Sequence, residues 1–299
     1  MLERAYPYQV AVIGGDARQI EVARALSVFY KKVIVYGHPA KSLPDSVDLV
    51  SDLTQAVVDS KAIVLPISGM NDAGMVRSYQ SDQMIDFGNL LPFLKKNTLI
   101  VTGQFTSKWL KLSEELRISV IQYAENDEIA ILNSIPTAEG AVQIAMEETP
   151  ITIHGSTVVV CGFGRVGITT ARMFKSLGAR VIVSARRQEL LARAFELGCE
   201  TVIHKNLAEI LDSADIIINT VPAQVLSINE LTKVSPESLI IDLASPPGGT
   251  DFEAAKQFKL KAILAPGLPG KVAPKTAGKI LALAIPRLIA NFWNGGGGK

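Results

Sequence analysis

The 299-residue chain has only two cysteines, three histidines and two tryptophans, and aromatic residues make up 6% of it. Cys161 and Cys199 are too few for a disulfide scaffold and show no metal-ligand spacing. With scattered His38, His154 and His204 they assemble into no Cys–His pair, Ser–His–Asp triad or metal cage, so no metal is expected. Charge of one sign is also missing. Thirty Lys plus Arg stand against 29 Asp plus Glu, a formal charge of +1, which excludes a broad basic field for nucleic acid or an acidic membrane. No apolar run approaches the roughly 20 residues of a spanning helix, and the most apolar segment, Ile280 to Ala290, is broken by Pro286-Arg287. The opening Met1-Leu2-Glu3-Arg4-Ala5-Tyr6-Pro7 has no apolar signal core. The expectation is a soluble cytoplasmic protein.

What is present is alternation. Short β-rich runs at Tyr8–Ile13, Lys32–Tyr36, Ala62–Pro66, Leu99–Thr102 and Ser119–Gln122 are interleaved with helical periodicity at Arg18–Tyr30 and Lys108–Leu116. A second series runs through Thr157–Cys161, Arg180–Ser184, Thr201–His204, Asp215–Thr220, Ser238–Leu243 and Lys261–Ala265. Parallel strands need crossover helices, so each series predicts an α/β domain with a doubly wound parallel sheet. The first is Rossmann- or flavodoxin-like and the second a Rossmann dinucleotide-binding domain. The expected division is 1–136 for a substrate or partner domain and 137–150 for a bridging helix with Thr137 as N-cap. Residues 151–274 form the nucleotide domain, and 275–299 a final helix that could return to the first domain, with a flexible glycine tail.

The sharpest signal is Val158-Val159-Val160-Cys161-Gly162-Phe163-Gly164-Arg165-Val166-Gly167, a strand, a G-x-G-x-x-G turn and a helix start. Gly162 permits the tight turn, Gly164 lets backbone approach a pyrophosphate, and Gly167 allows helix to pack on strand. The helix N-terminus turns N–H groups and its positive dipole end toward phosphate. An NAD site usually has a carboxylate about 20 residues after the first glycine. Here Ser184-Ala185-Arg186-Arg187 stands instead, a hydroxyl and two guanidinium groups suited to a 2′-phosphate. NADP is the expected cofactor. Thr220, Val221 and Pro222 should close over its central region. The Pro/Gly-rich loops carrying Ala244, Ser245, Leu268 and Pro269 should approach the nicotinamide.

The first domain has only Gly14-Gly15-Asp16-Ala17-Arg18-Gln19, with Asp16 at the second glycine position and Gln19 at the third. A carboxylate there repels pyrophosphate, so no second dinucleotide is expected. Ligands of open α/β sheets lie beyond the carboxyl ends of strands, which directs Asp16, Arg18, Ser68 and Thr102 toward a cleft. An ion pair across the turn is the alternative for Asp16 and Arg18. His38 reads as a surface residue at the cleft rim, and the irregular stretch Ser68–Gly88 is long enough to be functional.

With those residues in view the chain resembles the A subunit of dipicolinate synthase from endospore-forming bacteria. The resemblance runs from about residue 8 to 293. It rests on Gly14–Gln19, Ala130-Ile131-Leu132-Asn133-Ser134-Ile135-Pro136-Thr137, Gly162–Gly167, Asp242-Leu243-Ala244-Ser245 with Pro247-Gly248-Gly249-Thr250-Asp251, and Ala265–Gly270 with Ala273-Pro274-Lys275-Thr276-Ala277-Gly278. More loosely, the last segment is similar to alanine dehydrogenases, and the two-domain plan to adenosylhomocysteinase and the 2-hydroxyacid dehydrogenases. The resemblance implies oxidation of a dihydrodipicolinate-level intermediate to dipicolinic acid in the mother cell of a sporulating bacterium. It also implies a partner, the flavoprotein-like B subunit of dipicolinate synthase. On that reading Arg18, Ser68, Lys271 and Lys275 are the candidates for holding the dicarboxylate, and Asp16 is the remaining proton-acceptor candidate. A homo-oligomer is expected. Two other readings stay open: a non-catalytic NADP-binding subunit, and a dehydrogenase of a small hydroxy or amino acid, which lacks the His/Glu or Lys/His pair expected there.

Overall fold

The computed structural model describes residues 6–295; the opening Met1–Ala5 and the glycine tail from Gly296 lie outside the described residues. The chain divides into two compact units, one built from residues up to Ala130 together with those from Ala273 onward, the other from Ile131–Val272.

In the first unit the order is β1 (Tyr6–Ile13), α1 (Arg18–Phe29), β2 (Tyr30–Tyr36), β3 (Asp48–Leu49), α2 (Leu53–Val58) and β4 (Ser60–Val64). Then come β5 (Met75–Arg77), β6 (Met84–Asp86), β7 (Leu99–Thr102), α3 (Ser107–Glu115) and β8 (Ser119–Gln122). Its main sheet is six-stranded in the order β3-β2-β1-β4-β7-β8, with parallel pairing throughout. Once β5 and β6 are set aside this is the 3-2-1-4-5-6 Rossmann order, not the flavodoxin order. β5 and β6 form a separate antiparallel pair, Val76 opposite Ile85, inside the stretch that reads as irregular in sequence. Strands buried on both faces need apolar residues at every position. Accordingly, Val10 and Val12 of β1 enter one core cluster and Ala11 and Ile13 the other.

Helix α4 (Asp127–Glu148) begins ten residues before the expected start at Thr137 and carries Pro136 inside it. The cap is Asn126, whose Oδ1 accepts from the Ile129 N–H at 3.2 Å while its carbonyl accepts from Ala130 N–H at 2.9 Å. Pro136 removes one rung without ending the helix, and Thr137 spends its hydroxyl on the Asn133 carbonyl, 2.8 Å away, as a residue in the helix interior.

The second unit continues with β9 (Thr157–Cys161), α5 (Arg165–Ser176), β10 (Arg180–Ala185), α6 (Gln188–Glu196), β11 (Glu200–Ile203), β12 (Ile216–Asn219) and α7 (Ile228–Leu231). It ends with β13 (Leu239–Asp242), α8 (Phe252–Gln257), β14 (Lys261–Leu264) and α9 (Leu268–Val272). The sheet order β11-β10-β9-β12-β13-β14 repeats the arrangement of the first unit. Val158 and Val160 face one core, Val159 and Cys161 the other. The last helix, α10 (Pro274–Asn294), belongs to the first unit. Leu281, Ala284, Ile285 and Ile289 share a core with Val22, Ala23 and Leu26 of α1. Contact is close enough that a Cβ on Gly278 would lie 2.9 Å from the Arg18 carbonyl oxygen.

Candidate functional site

The carboxyl edge of the second sheet is organised around the turn after β9. Gly162 has φ +93, and a Cβ there would lie 2.6 Å from Thr220 Oγ1 and 2.7 Å from Val221 Cγ2. A Cβ on Gly167 would lie 2.3 Å from the Gly162 carbonyl oxygen. Both glycines are therefore fixed by the protein's own packing. Gly164 is different: it is exposed, and a Cβ there would meet nothing within 4 Å. It is also the N-cap of α5 and supplies no side-chain acceptor, so the helix's positive end opens onto free space beside a residue with no side chain. That cradle fits a pyrophosphate. Arg165 is exposed and Val166 half-buried at the same helix start. Thr220 closes the turn from β12, its hydroxyl donating to the Cys161 carbonyl at 2.9 Å, with Val221 half-buried and Pro222 exposed beyond it.

Along the edge toward β10, Ser184 stays beside the turn through its carbonyl, which accepts from Gly162 N–H at 2.8 Å. Its side chain is buried, with Oγ 3.5 Å from His204 Nδ1, so the hydroxyl expected at a cofactor phosphate is turned inward. Arg186 and Arg187 are exposed just beyond the strand. Arg187 is the N-cap of α6 and pairs with Glu189 at 3.1 Å, which leaves Arg186 as the cation of that end without a carboxylate partner among the described residues.

On the other side, Asp242 closes β13 fully buried. Its carboxylate accepts from Asn219 Nδ2 (2.9 Å), Ala244 N–H (3.0 Å), Gly249 N–H (2.8 Å) and the Thr250 hydroxyl (2.8 Å). Ala244 is buried and Ser245 exposed at the loop tip, while Leu268 is a core side chain packed on Gly140. Leu268 can serve a ligand only through its backbone, and half-buried Pro269 follows it. Lys271 is exposed in the second unit, Lys275 exposed in the first turn of α10 in the first unit. Burial pushes the Cys161 thiol up to about 12, so it is no nucleophile near neutral pH.

In the first unit the equivalent turn is closed by the chain itself. Gly15 N–H donates to the Arg77 carbonyl of β5 at 2.7 Å, and a Cβ on Gly14 would lie 2.3 Å from that oxygen. Asp16 Oδ1 accepts from the Arg18 backbone N–H at 3.0 Å, so a built-in anion sits at the N-terminus of α1. The same carboxylate pairs with the Arg18 guanidinium, Nε–Oδ1 2.9 Å and Nη2–Oδ2 2.6 Å. The ion pair across the turn is thus formed, and it holds the Asp16 carboxyl below its usual range despite partial burial. Thr102 is buried with its hydroxyl on the Gln104 carbonyl, so it presents nothing to a ligand; Ser68 is exposed.

His38 is buried rather than a rim residue, because the β5–β6 segment covers it and sets Tyr79 at a tilt beside its ring, centroids 5.6 Å apart. Its Nε2 lies 2.6 Å from the Gly14 carbonyl oxygen, an acceptor, so Nε2 carries a proton, while Nδ1 is buried with no partner to receive one. Burial lowers its pKa. Neutral His38 therefore contributes stability that is full above the ordinary value of about 6.5 and is lost as pH falls through the lowered folded value. Between pH 7.5 and 5 the melting temperature of the protein should fall more steeply than that of His38→Gln, as differential scanning calorimetry would show.

Among the described residues no His/Cys/Asp/Glu group is placed to hold a metal, and no helix is long and apolar enough to cross a membrane. A cavity of about 820 Å³ between α1 and α10, lined by Val28, Phe29, Leu283 and Pro286 among others, has few polar groups to orient a substrate.

Known proteins match this architecture over almost its whole length. Residues 9–124 match the family model for the N-terminal domain of the dipicolinate synthase A subunit, and residues 135–245 match that of the D-isomer specific 2-hydroxyacid dehydrogenase, NAD binding domain. The chain is 39% identical over 288 residues to the dipicolinate synthase A subunit of Bacillus subtilis (strain 168), covering 95% of this chain and 96% of that protein. The crystal structure of the dipicolinate synthase A subunit from Bacillus halodurans superposes with a TM-score of 0.90 at 40% identity, over 96% of this chain and 99% of that one. A transhydrogenase from Sinorhizobium meliloti, with a TM-score of 0.67 at 14% identity over 95% of each chain, shares the fold. With its Rossmann second unit of dehydrogenase type, the chain belongs to the family of dipicolinate synthase A subunits.

Proposed function

We propose that this protein oxidises a dihydrodipicolinate-level dicarboxylate to dipicolinic acid, with NADP held on the second unit and with the B subunit of dipicolinate synthase as partner in the sporulating mother cell. The observation that carries the reading is the Gly164 cradle, open space at the positive end of α5 where a Cβ would otherwise stand. Gly164, Arg165, Val166 and Gly167 would hold the pyrophosphate, Arg186 the 2′-phosphate, and Thr220–Pro222 with Ala244–Ser245 the remainder. When bound, the nicotinamide supplies the acceptor for the hydride. The dihydropyridine ring gives up one hydrogen with its electron pair and a second as a proton to solvent, which leaves an aromatic pyridine with both carboxylates intact. Arg18, Ser68, Lys271 and Lys275 are the groups of this chain that would grip those carboxylates, so that its main work is to hold the ring in place.

The absence of a carboxylate after β10 and the unpartnered Arg186 support NADP over NAD. A charge-assisted contact to a 2′-phosphate is worth about 1.5–3 kcal/mol, so Arg186→Ala should raise the Kd for NADPH roughly tenfold to a hundredfold. Its Kd for NADH should not move. Fluorescence titration of both nucleotides checks this, and equal NADH and NADPH affinity in the unmodified protein would end the NADP assignment. Absorbance at the NADPH band with freshly generated dihydrodipicolinate, with and without the B subunit, tests the reaction. Turnover only in the presence of that partner would make this chain the cofactor-binding member of a shared enzyme.

A further inference from the structure

Two loops at the carboxyl edge of the second sheet are tied by one buried pair. Asn219 ends β12 and Asp242 ends β13, side by side in register, and both are 0% exposed. Asn219 turns one way to fix the first loop: its Oδ1 accepts from Val221 N–H at 3.0 Å and its Nδ2 donates to the Val221 carbonyl at 3.0 Å. The same Nδ2 donates to Asp242 at 2.9 Å. Asp242 fixes the second loop by accepting from Ala244 N–H, Gly249 N–H and the Thr250 hydroxyl.

The two loops are then joined to each other. Val225 and Leu226 N–H groups both donate to the Gly249 carbonyl, at 2.8 and 3.0 Å. The wrapping leaves no room for side chains. A Cβ on Gly249 would lie 2.5 Å from the Ala223 carbonyl oxygen, and one on Gly248, at φ +87, would lie 2.9 Å from Asp242 Oδ2. A buried carboxylate is tolerated only when it is hydrogen-bonded, and this one spends its bonds on Asn219, which fixes the first loop, and on the second loop itself.

We propose that the Asn219–Asp242 pair is the positioning device for the nicotinamide half of the dinucleotide, holding residues 220–226 and 243–250 as a single rigid wall. The inference rests on the dinucleotide reading above and deepens it. The adenosine half is expected at the β10 side of the β9 turn, and none of the atoms bonded to Asp242 lies there. Replacing Asp242 with Asn sets an amide N–H₂ against donors already aimed at the carboxylate, which loosens the wall and leaves the adenosine end alone.

The test uses the full chain and two probes, NADPH and adenosine 2′,5′-bisphosphate, with affinities from calorimetry and melting temperatures from the same samples. For Asp242→Asn the Kd for NADPH should rise by about tenfold or more while that for the bisphosphate stays within about twofold. Thr250→Val removes one donor from Asp242 without changing side-chain volume, and should raise the NADPH Kd by roughly threefold with the bisphosphate unmoved. If Asp242→Asn does not fold, this second variant decides. Parallel loss of both probes would make the pair a general support of the fold and overturn the proposal, as would unchanged NADPH affinity in either folded variant. If the unmodified chain binds the bisphosphate but not NADPH, the wall holds no nicotinamide and the proposal falls alone; if it binds neither, the dinucleotide reading falls first.

Discussion

Gly164→Asp should leave the protein folded and remove its dinucleotide binding. The substitution meets no steric barrier, since nothing lies within 4 Å of the new Cβ and φ at −92° is open to any residue. Asp is also a good N-cap, a few tenths of a kcal/mol better than glycine, and its charge suits the positive end of α5. The melting temperature should therefore stay within about 2 °C of the unmodified value or rise. Binding behaves in the opposite way, because the carboxylate occupies and repels the place of an anionic pyrophosphate. The Kd for NADPH should increase more than about 100-fold, equivalent to nearly 3 kcal/mol. The first unit already displays the arrangement: Asp16 holds the corresponding place and accepts from the N–H of Arg18. A melt and a fluorescence titration on one preparation check both halves. NADPH binding retained at full strength would remove the cradle from the site. Gly167→Ala is the contrast, since its Cβ would lie 2.3 Å from the Gly162 carbonyl oxygen, and fold and binding should fail together.

The two sheets and the dinucleotide turn are legible in the sequence because they depend on local patterns. Ile216-Ile217-Ile218 and Val158-Val159-Val160 can be stable only where both faces of a strand are covered, and the glycine spacing follows directly. Features that do not show are those decided by contacts far along the chain. His38 reads as a surface residue because its cover, the β5–β6 segment with Tyr79, arrives about 40 residues later. The start of α4 is displaced because Pro136 reads as punctuation, whereas the cap that decides the matter is a single Asn126. Ser184 and Leu268 stand at positions that suggest a ligand, yet each turns its side chain into the protein. Asp242 carries a usable signal: an acid ending the apolar run Leu239-Ile240-Ile241 must be buried, and a buried carboxylate demands partners. Which partners those are, Asn219, Gly249 and Thr250, only the fold discloses.

The repeated strand order gives the first unit a further meaning. Both sheets are wound 3-2-1-4-5-6, and both have a glycine turn after their central strand whose N–H bonds back to the neighbouring strand's end: Gly14 to Tyr36 and Gly162 to Ser184, each at 2.8 Å. The same scaffold is thus open in one unit and closed in the other by Asp16 and the Arg77 carbonyl. What the closed turn retains is a cation, Arg18, held in place by Asp16.

Arg18→Ala should reduce kcat/KM for the dicarboxylate by about 100-fold or more, with NADPH affinity unchanged. The Arg18 guanidinium donates through Nε and Nη2 to Asp16, and part of its side chain still reaches solvent. On the proposed function its remaining N–H groups meet a substrate carboxylate, and loss of such a charge-assisted pair costs about 3 kcal/mol in binding or in the barrier. Asp16→Asn separates positioning from structure. It leaves Arg18, 12% exposed, without its counter-charge, while 36% of the Asp16 side chain reaches solvent, so the penalty is scaled down from that of buried pairs to about 1–2 kcal/mol. A melting temperature lower by roughly 3–6 °C follows. Because the Asp16 carboxyl is held below its ordinary value of about 3.9, its contribution is complete above that pH and is lost as pH falls through the folded value. The gap between unmodified protein and Asp16→Asn should therefore be constant from pH 5 to 8 and close below about pH 4. Steady-state kinetics and pH-resolved melts on both variants separate two outcomes. If Arg18→Ala lowers the melting temperature like Asp16→Asn but keeps its kcat/KM, the pair is a brace for the turn, and the dicarboxylate is held by other cations.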